Sequence, residues 1–205
     1  MKDFVILADS TCDLSEEILE QFNVSDYIKA HAHFSDGRDF SVNLNWNEIS
    51  REEFYKTLSD NKIQVTTSPA SLGEYLDVFR AYAERGYDIL SMSLSSKISS
   101  TFEIASNAAA EIQREFPDCK IYCFDSYRMS SAFGLIAIYA YHMKNEGKSL
   151  GEIVNVIENM KYNVHLMGPI DDLMFVAKRG RISKGKAIFG SLAGVKPMGD
   201  CNSDG

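Results

Sequence analysis

Short apolar runs alternate along this chain with segments whose apolar residues recur every three or four positions. The runs are Phe4–Ala8, Ile63–Val65, Ile89–Leu94, Ile121–Phe124 and Val164–Met167. Helical spacing follows most of them. Leu72, Leu76, Phe79 and Ala83 share one face between Ser71 and Gly86, and Ile104, Ala108, Ile112 and Phe116 share one in the next segment. Strands that lack a polar face, alternating with helices, predict an α/β fold whose largely parallel sheet has helices on both faces.

Four helix starts carry one device: Ser50-x-x-Glu53, Ser71-x-x-Glu74, Ser100-x-x-Glu103 and Ser149-x-x-Glu152. In this capping box the serine oxygen accepts from a free backbone N–H and the glutamate reaches back. Gly86 stands where a helix end favours positive φ. The polar stretch Asn145-Glu146-Gly147-Lys148 is the expected boundary between an N-terminal α/β domain (1–148) and the start of a second α/β domain (149–205).

The bulk numbers narrow the picture. A chain of 205 residues with 45% hydrophobic content can bury a sizeable core. A net charge of -8 argues against binding nucleic acid or anionic lipid through clustered Lys and Arg. The four cysteines show no framework spacing, and the longest apolar stretch, Ala132 to Met143, is too short for the ~20 residues a bilayer span needs. These features predict a cytoplasmic protein with reduced thiols.

Hydroxyls gather where strands are expected to end. Residues Ser93 to Thr101, Ser-Leu-Ser-Ser-Lys-Ile-Ser-Ser-Thr, hold six hydroxyl side chains in nine positions. The first run ends in Asp9-Ser10-Thr11, the second in Thr66-Thr67-Ser68-Pro69 and the fourth in Asp125-Ser126. In open parallel sheets ligands bind beyond the carboxyl ends of the strands, where following helices aim free N–H groups. The offer is a hydrogen-bonding pocket for a small anionic head group. Helix capping accounts for Ser71 and Ser100, but it leaves Thr66, Thr67, Ser95 and Ser96 without a task.

The ordered set Asp9-Ser10-Thr11-Cys12-Asp13-Leu14, Thr67-Ser68-Pro69, Ser95-Ser96-Lys97-Ile98-Ser99-Ser100-Thr101, Asp125-Ser126, Gly180-Arg181-Ile182-Ser183 and Val195-Lys196-Pro197 resembles the DegV family over essentially the whole chain. The resemblance implies a protein that binds a long-chain fatty acid and presents its carboxylate to a separate fatty acid kinase subunit, with no catalysis, cofactor or metal of its own. It implies that Thr66, Thr67 or Ser68, a serine of the Ser95-Ser96 pair, and Arg181 hold the carboxylate. Arginine suits that task because its planar fork bonds a carboxylate twice. Asp9, Ser10, Asp125 and Ser126 are expected to orient the loops behind them. Three positions depart from the family: Ser100 replaces the glycine of Ser-Gly-Thr, Arg179 replaces a glycine before Gly180, and family chains continue well past the position of Gly205. The last implies an incomplete second domain, lacking strands and a histidine of the head-group site.

Three other chemistries have sequence footholds. Gly180–Ala187 nearly spells a phosphate-binding Walker A loop around Lys186, but Ala187 offers magnesium no hydroxyl. A serine hydrolase is a second rival, since serine is plentiful, but no Gly-x-Ser-x-Gly elbow is present. His142 lies in an apolar segment and is expected to be packed, and Cys12 lacks the arginine spacing of a thiolate phosphatase loop. His31 and His33 fall on one strand face, yet no acidic cluster completes a metal set.

Overall fold

The described elements of the computed structural model run β1 (Phe4–Ala8), a 3-10 turn (Ser10–Cys12), α1 (Glu16–Gln21), β2 (His31–Phe34), β3 (Asp39–Ser41), α2 (Arg51–Ser59), β4 (Val65–Ser68), α3 (Leu72–Glu84), β5 (Asp88–Ser93), α4 (Thr101–Glu115), β6 (Ile121–Asp125), α5 (Ser130–Asn145), α6 (Leu150–Met160), β7 (Gly168–Pro169), α7 (Leu173–Lys178) and β8 (Met198–Gly199). The structure describes residues 2–60, 62–182, 190 and 196–201.

The fold is α/β. β1, β5 and β6 form a parallel sheet in the order β1-β5-β6. One of its faces buries Ile89 and Leu7 against Tyr75 and Phe79 of α3 and Ala108 and Ile112 of α4. The other buries Leu90, Met92 and Phe124 against Phe133, Ile136 and Ala140 of α5 and Ile153 and Ile157 of α6. Both faces are thus covered, which is why these strands read as continuous apolar runs. The core extends past Lys148, because α6 returns to it after a turn at Gly147, whose φ is +79°. Gly134 lets α5 seat on the 3-10 turn: a Cβ there would lie 2.2 Å from the Cys12 carbonyl oxygen.

A second sheet, β3-β2-β4, is antiparallel. Among the described residues an apolar cluster covers its Ala32, Phe34 and Val65 face, from Phe54 and Leu58 of α2 with Phe40, Val42 and Ile49. This sheet corrects the assignment of the Ile63–Val65 run to the parallel sheet. The strand begins at Val65 and runs through Ser68, so Thr66, Thr67 and Ser68 lie within a strand rather than beyond its end. The misreading followed from apolarity: a strand covered on one face alternates, and its polar positions looked like a terminus.

Three smaller corrections follow. No strand forms over Val164–Met167; the short β7 begins at Gly168 and pairs with β8. Ser71 and Ser149 make complete capping boxes and Ser50 caps Glu53, but Ser100 makes no side-chain cap. Its backbone φ and ψ of -78° and 4° hold it off the extended conformation a capping serine needs. His142 is exposed on α5 and pairs with Glu146 at 3.4 Å, because it falls on the helix's solvent side.

Candidate functional site

The carboxyl ends of β1, β5 and β6 are knitted together by side chains accepting backbone N–H groups. Asp9 is buried; its Oδ2 accepts from Leu94 N–H at 2.8 Å and its Oδ1 from Thr11 N–H at 2.8 Å. Burial pushes the Asp9 carboxyl above its ordinary range, opposed by the bonds from Thr11 and Leu94. Ser10 Oγ accepts from Ala30 N–H at 3.1 Å, tying this end to the start of the second sheet. Asp125 Oδ1 accepts from Ser96 N–H and Tyr127 N–H, both at 3.1 Å. Ser126 Oγ donates to the Arg128 carbonyl at 3.1 Å. Asp9, Asp125 and Ser126 therefore brace the loop that carries Ser95 and Ser96, whereas Ser10 braces the start of the second sheet.

Ser95 is fully buried, donating its N–H to Arg128 O at 2.8 Å and accepting from Lys97 N–H on Oγ at 3.3 Å. Ser96 is exposed on the rim of an open depression of about 310 Å³, shared with Lys97, Ile98, Ser99, Ser100 and Glu103. Arg128, which sequence reasoning passed over, lies buried beside them. Its guanidinium donates to the Cys201 carbonyl, its Nε has no partner, and among the described residues no carboxylate pairs with it. After the His165 hydrogen bond, its charge helps hold the Asp200 carboxyl below its ordinary value, and the unpartnered Nε leaves one buried donor for a further acceptor. The available signal was its place two residues after Asp125-Ser126, at the end of a strand.

The pleat of β4 separates the three hydroxyls that the sequence grouped. Thr67 pairs with Ala32 and lines an apolar cavity of about 160 Å³ with Phe34, Phe40, Trp46, Ile49 and Phe54. Thr66 pairs with His33 and Ser68 with His31, on the opposite, polar face. There Ser68 Oγ lies 2.9 Å from His33 Nε2. Arg181 is exposed after α7, its guanidinium on the Arg179 carbonyl, and no described hydrogen bond joins it to the strand-end hydroxyls. Ser183, Lys186, Ala187 and Val195 lie outside the described residues, and with them most of the Walker-like stretch and part of two family motifs.

The other footholds also acquire geometry. Cys12 is buried, and burial pushes its thiol up to about 12, far from a reactive thiolate. His31 and His33 do share a face, with ring centroids 6.3 Å apart. Each meets a single carboxylate: Glu74 at 2.9 Å and Asp39 at 2.7 Å. Among the described residues no group of three or more His, Cys, Asp or Glu is placed to hold a metal ion. Nor is any helix among them long and apolar enough to cross a membrane.

The sequence profile of the family described as "Uncharacterised protein, DegV family" matches residues 3–205. The chain belongs to the DegV family. A DegV domain-containing protein of Clostridium perfringens is 30% identical over 198 residues, 97% of this chain and 67% of that protein. One from Staphylococcus aureus is 28% identical over 194 residues, 94% of this chain and 65% of that one. The chain thus spans about two thirds of the length of these DegV relatives. Among solved structures, DegV of Bacillus subtilis, titled a fatty acid binding protein, is 27% identical with a TM-score of 0.81, covering 100% of this chain and 70% of that one. A stearic-acid-binding protein from Eubacterium ventriosum shares the fold at a TM-score of 0.85 and 24% identity, covering 98% and 68%.

Proposed function

We propose that this DegV chain binds a long-chain fatty acid and presents its carboxylate to a separate kinase subunit for acyl phosphate formation. One observation carries the reading: a largely apolar cavity with Thr67 among its lining residues. Aromatic and aliphatic side chains there favour a hydrocarbon, since each buried CH₂ contributes about 0.8 kcal/mol. The cavity is smaller than the roughly 300–1,000 Å³ of a whole-ligand site, so it suits one part of an acyl chain. Thr67 supplies a hydrogen bond for the polar end. Ser95 or Ser96 and a cation complete the set, with Arg181 the expected cation and buried Arg128 a second. The fatty acid binding named for the Bacillus subtilis relative supports the ligand class. Catalysis of phosphoryl transfer is assigned to the partner.

Solvent extraction of the purified protein followed by mass spectrometry tests the ligand. The expected result is a long-chain fatty acid that Thr67→Ala reduces several-fold and Phe34→Asp abolishes, with Arg128→Ala and Arg181→Ala separating the two cations. Equal lipid content in all variants and the parent would overturn the reading.

A further inference from the structure

The polar face of the second sheet holds His33, Asp39 and Ser68, of which the fatty-acid reading names only Ser68, as an alternative to Thr66 and Thr67. His33 Nδ1 lies 2.7 Å from Asp39 Oδ1, and His33 Nε2 lies 2.9 Å from Ser68 Oγ. The order of atoms matters. A carboxylate on Nδ1 keeps the proton on that nitrogen, which leaves Nε2 as the acceptor for the serine hydroxyl. Nucleophile, base and orienting carboxylate are therefore in register. We propose that Ser68 is an activated nucleophile and that this face hydrolyses activated acyl esters.

The local fold builds this relay. β2 places His33 and β3 places Asp39 as direct cross-strand partners. Ser68 comes from β4 on the other side of β2, diagonal to His33. Three adjacent strands thus fix three side chains on one surface, with the backbone ladder as the template. Among the described residues β4 is the edge of its sheet. Ser68 is half-buried, and His33 keeps 44% of its side-chain surface exposed, so an ester reaches both without displacing core residues. Pro69 follows directly and leads into the N-cap Ser71, which fixes the strand's exit. Sequence rules aimed at a Gly-x-Ser-x-Gly elbow pass over this arrangement because its serine sits on a strand.

The step balances without any further reagent than water. Ser68 Oγ bonds to the acyl carbon while His33 Nε2 takes its proton. The ester C–O bond then breaks, and the departing alkoxide takes that proton from His33. Water repeats the sequence on the acyl-serine, releasing a carboxylic acid and restoring Ser68. Asp39 touches no reacting atom; it is a positioning residue.

The test uses the full chain, a fluorophosphonate probe and p-nitrophenyl acetate. A fluorophosphonate adduct is expected on Ser68 by peptide mass spectrometry. Ester hydrolysis is expected to fall about 10²-fold or more in Ser68→Ala and in His33→Gln. Asp39→Asn is expected to lower kcat with little change in KM, a split that a merely structural role would not produce. Ser68→Cys guards against misfolding: it should lose the fluorophosphonate adduct and gain iodoacetamide alkylation at that position, slowed by His33→Gln. Absence of the adduct in the parent, or hydrolysis by Ser68→Ala at the parent rate, would overturn the proposal. Fatty acid retained by Ser68→Ala would separate this face from the cavity on which Thr67 sits.

Discussion

The two sheets of this protein are built from similar side chains and differ in what covers them. The parallel sheet β1-β5-β6 is packed on both faces, and Leu7, Ile89, Leu90, Met92 and Phe124 are buried almost completely. Among the described residues the antiparallel sheet β3-β2-β4 has an apolar cluster on one face only, and that packing leaves a cavity beside Phe34. Its other face carries His31, His33, Thr66 and Ser68 to solvent. The first sheet provides a rigid frame whose carboxyl ends project loops. The second trades packing for a cavity on one side and hydrogen-bonded polar side chains on the other.

Truncation of the cores should break this comparison if it is wrong. Phe133→Ala removes a fully buried ring from the doubly covered layer and should cost about 3–5 kcal/mol. Phe34→Ala removes a buried ring that already borders a void, and should cost less than that range. Urea unfolding of both variants against the parent measures the difference. Equal losses would mean that the second sheet is packed as tightly as the first.

A smaller effect sharpens the frame itself. Gly134→Ala drives a Cβ into the backbone carbonyl of Cys12, which has no flexible end to move aside. The expected cost is about 1–3 kcal/mol, toward the upper end, read as a lowered urea midpoint. Because that 3-10 turn also carries Ser10, whose hydroxyl holds Ala30, the strain should reach the start of the second sheet.

How much of this was legible in the sequence follows the same division. The parallel sheet was plain, since Phe4–Ala8, Ile89–Leu94 (interrupted only by Ser91 and Ser93) and Ile121–Phe124 are mainly apolar and match β1, β5 and β6 closely. The family was legible too, because ordered loop motifs survive where individual ones are ambiguous. The antiparallel sheet was not, because Val65-Thr66-Thr67-Ser68 and His31-Ala32-His33-Phe34 alternate and are short. That same alternation decides which hydroxyl enters the cavity, so Thr66, Thr67 and Ser68 could not be separated without a strand register. Buried Arg128 was invisible for a different reason: arginine in a loop is ordinarily solvated, and only packing takes it out of water.

The smallest expected effect lies at the seam between the sheets, at Glu74. Burial opposes its ionisation, yet bonds from the Ser71 N–H and hydroxyl and from His31 hold its carboxyl below the ordinary value of 4.5. A carboxyl whose folded pKa is depressed contributes stability above the unfolded value and loses it as pH falls through the folded one. Glu74→Gln retains the capping geometry but not the titration. The parent's advantage over Glu74→Gln should therefore be flat above about 4.5 and shrink below it, by a modest amount because the side chain is 48% exposed. Urea midpoints of the two proteins across that range measure it. An advantage that stays constant through acid would mean that His31 and Ser71 do not bind the charged form, and that the polar face of the second sheet is less ordered than its hydrogen bonds require.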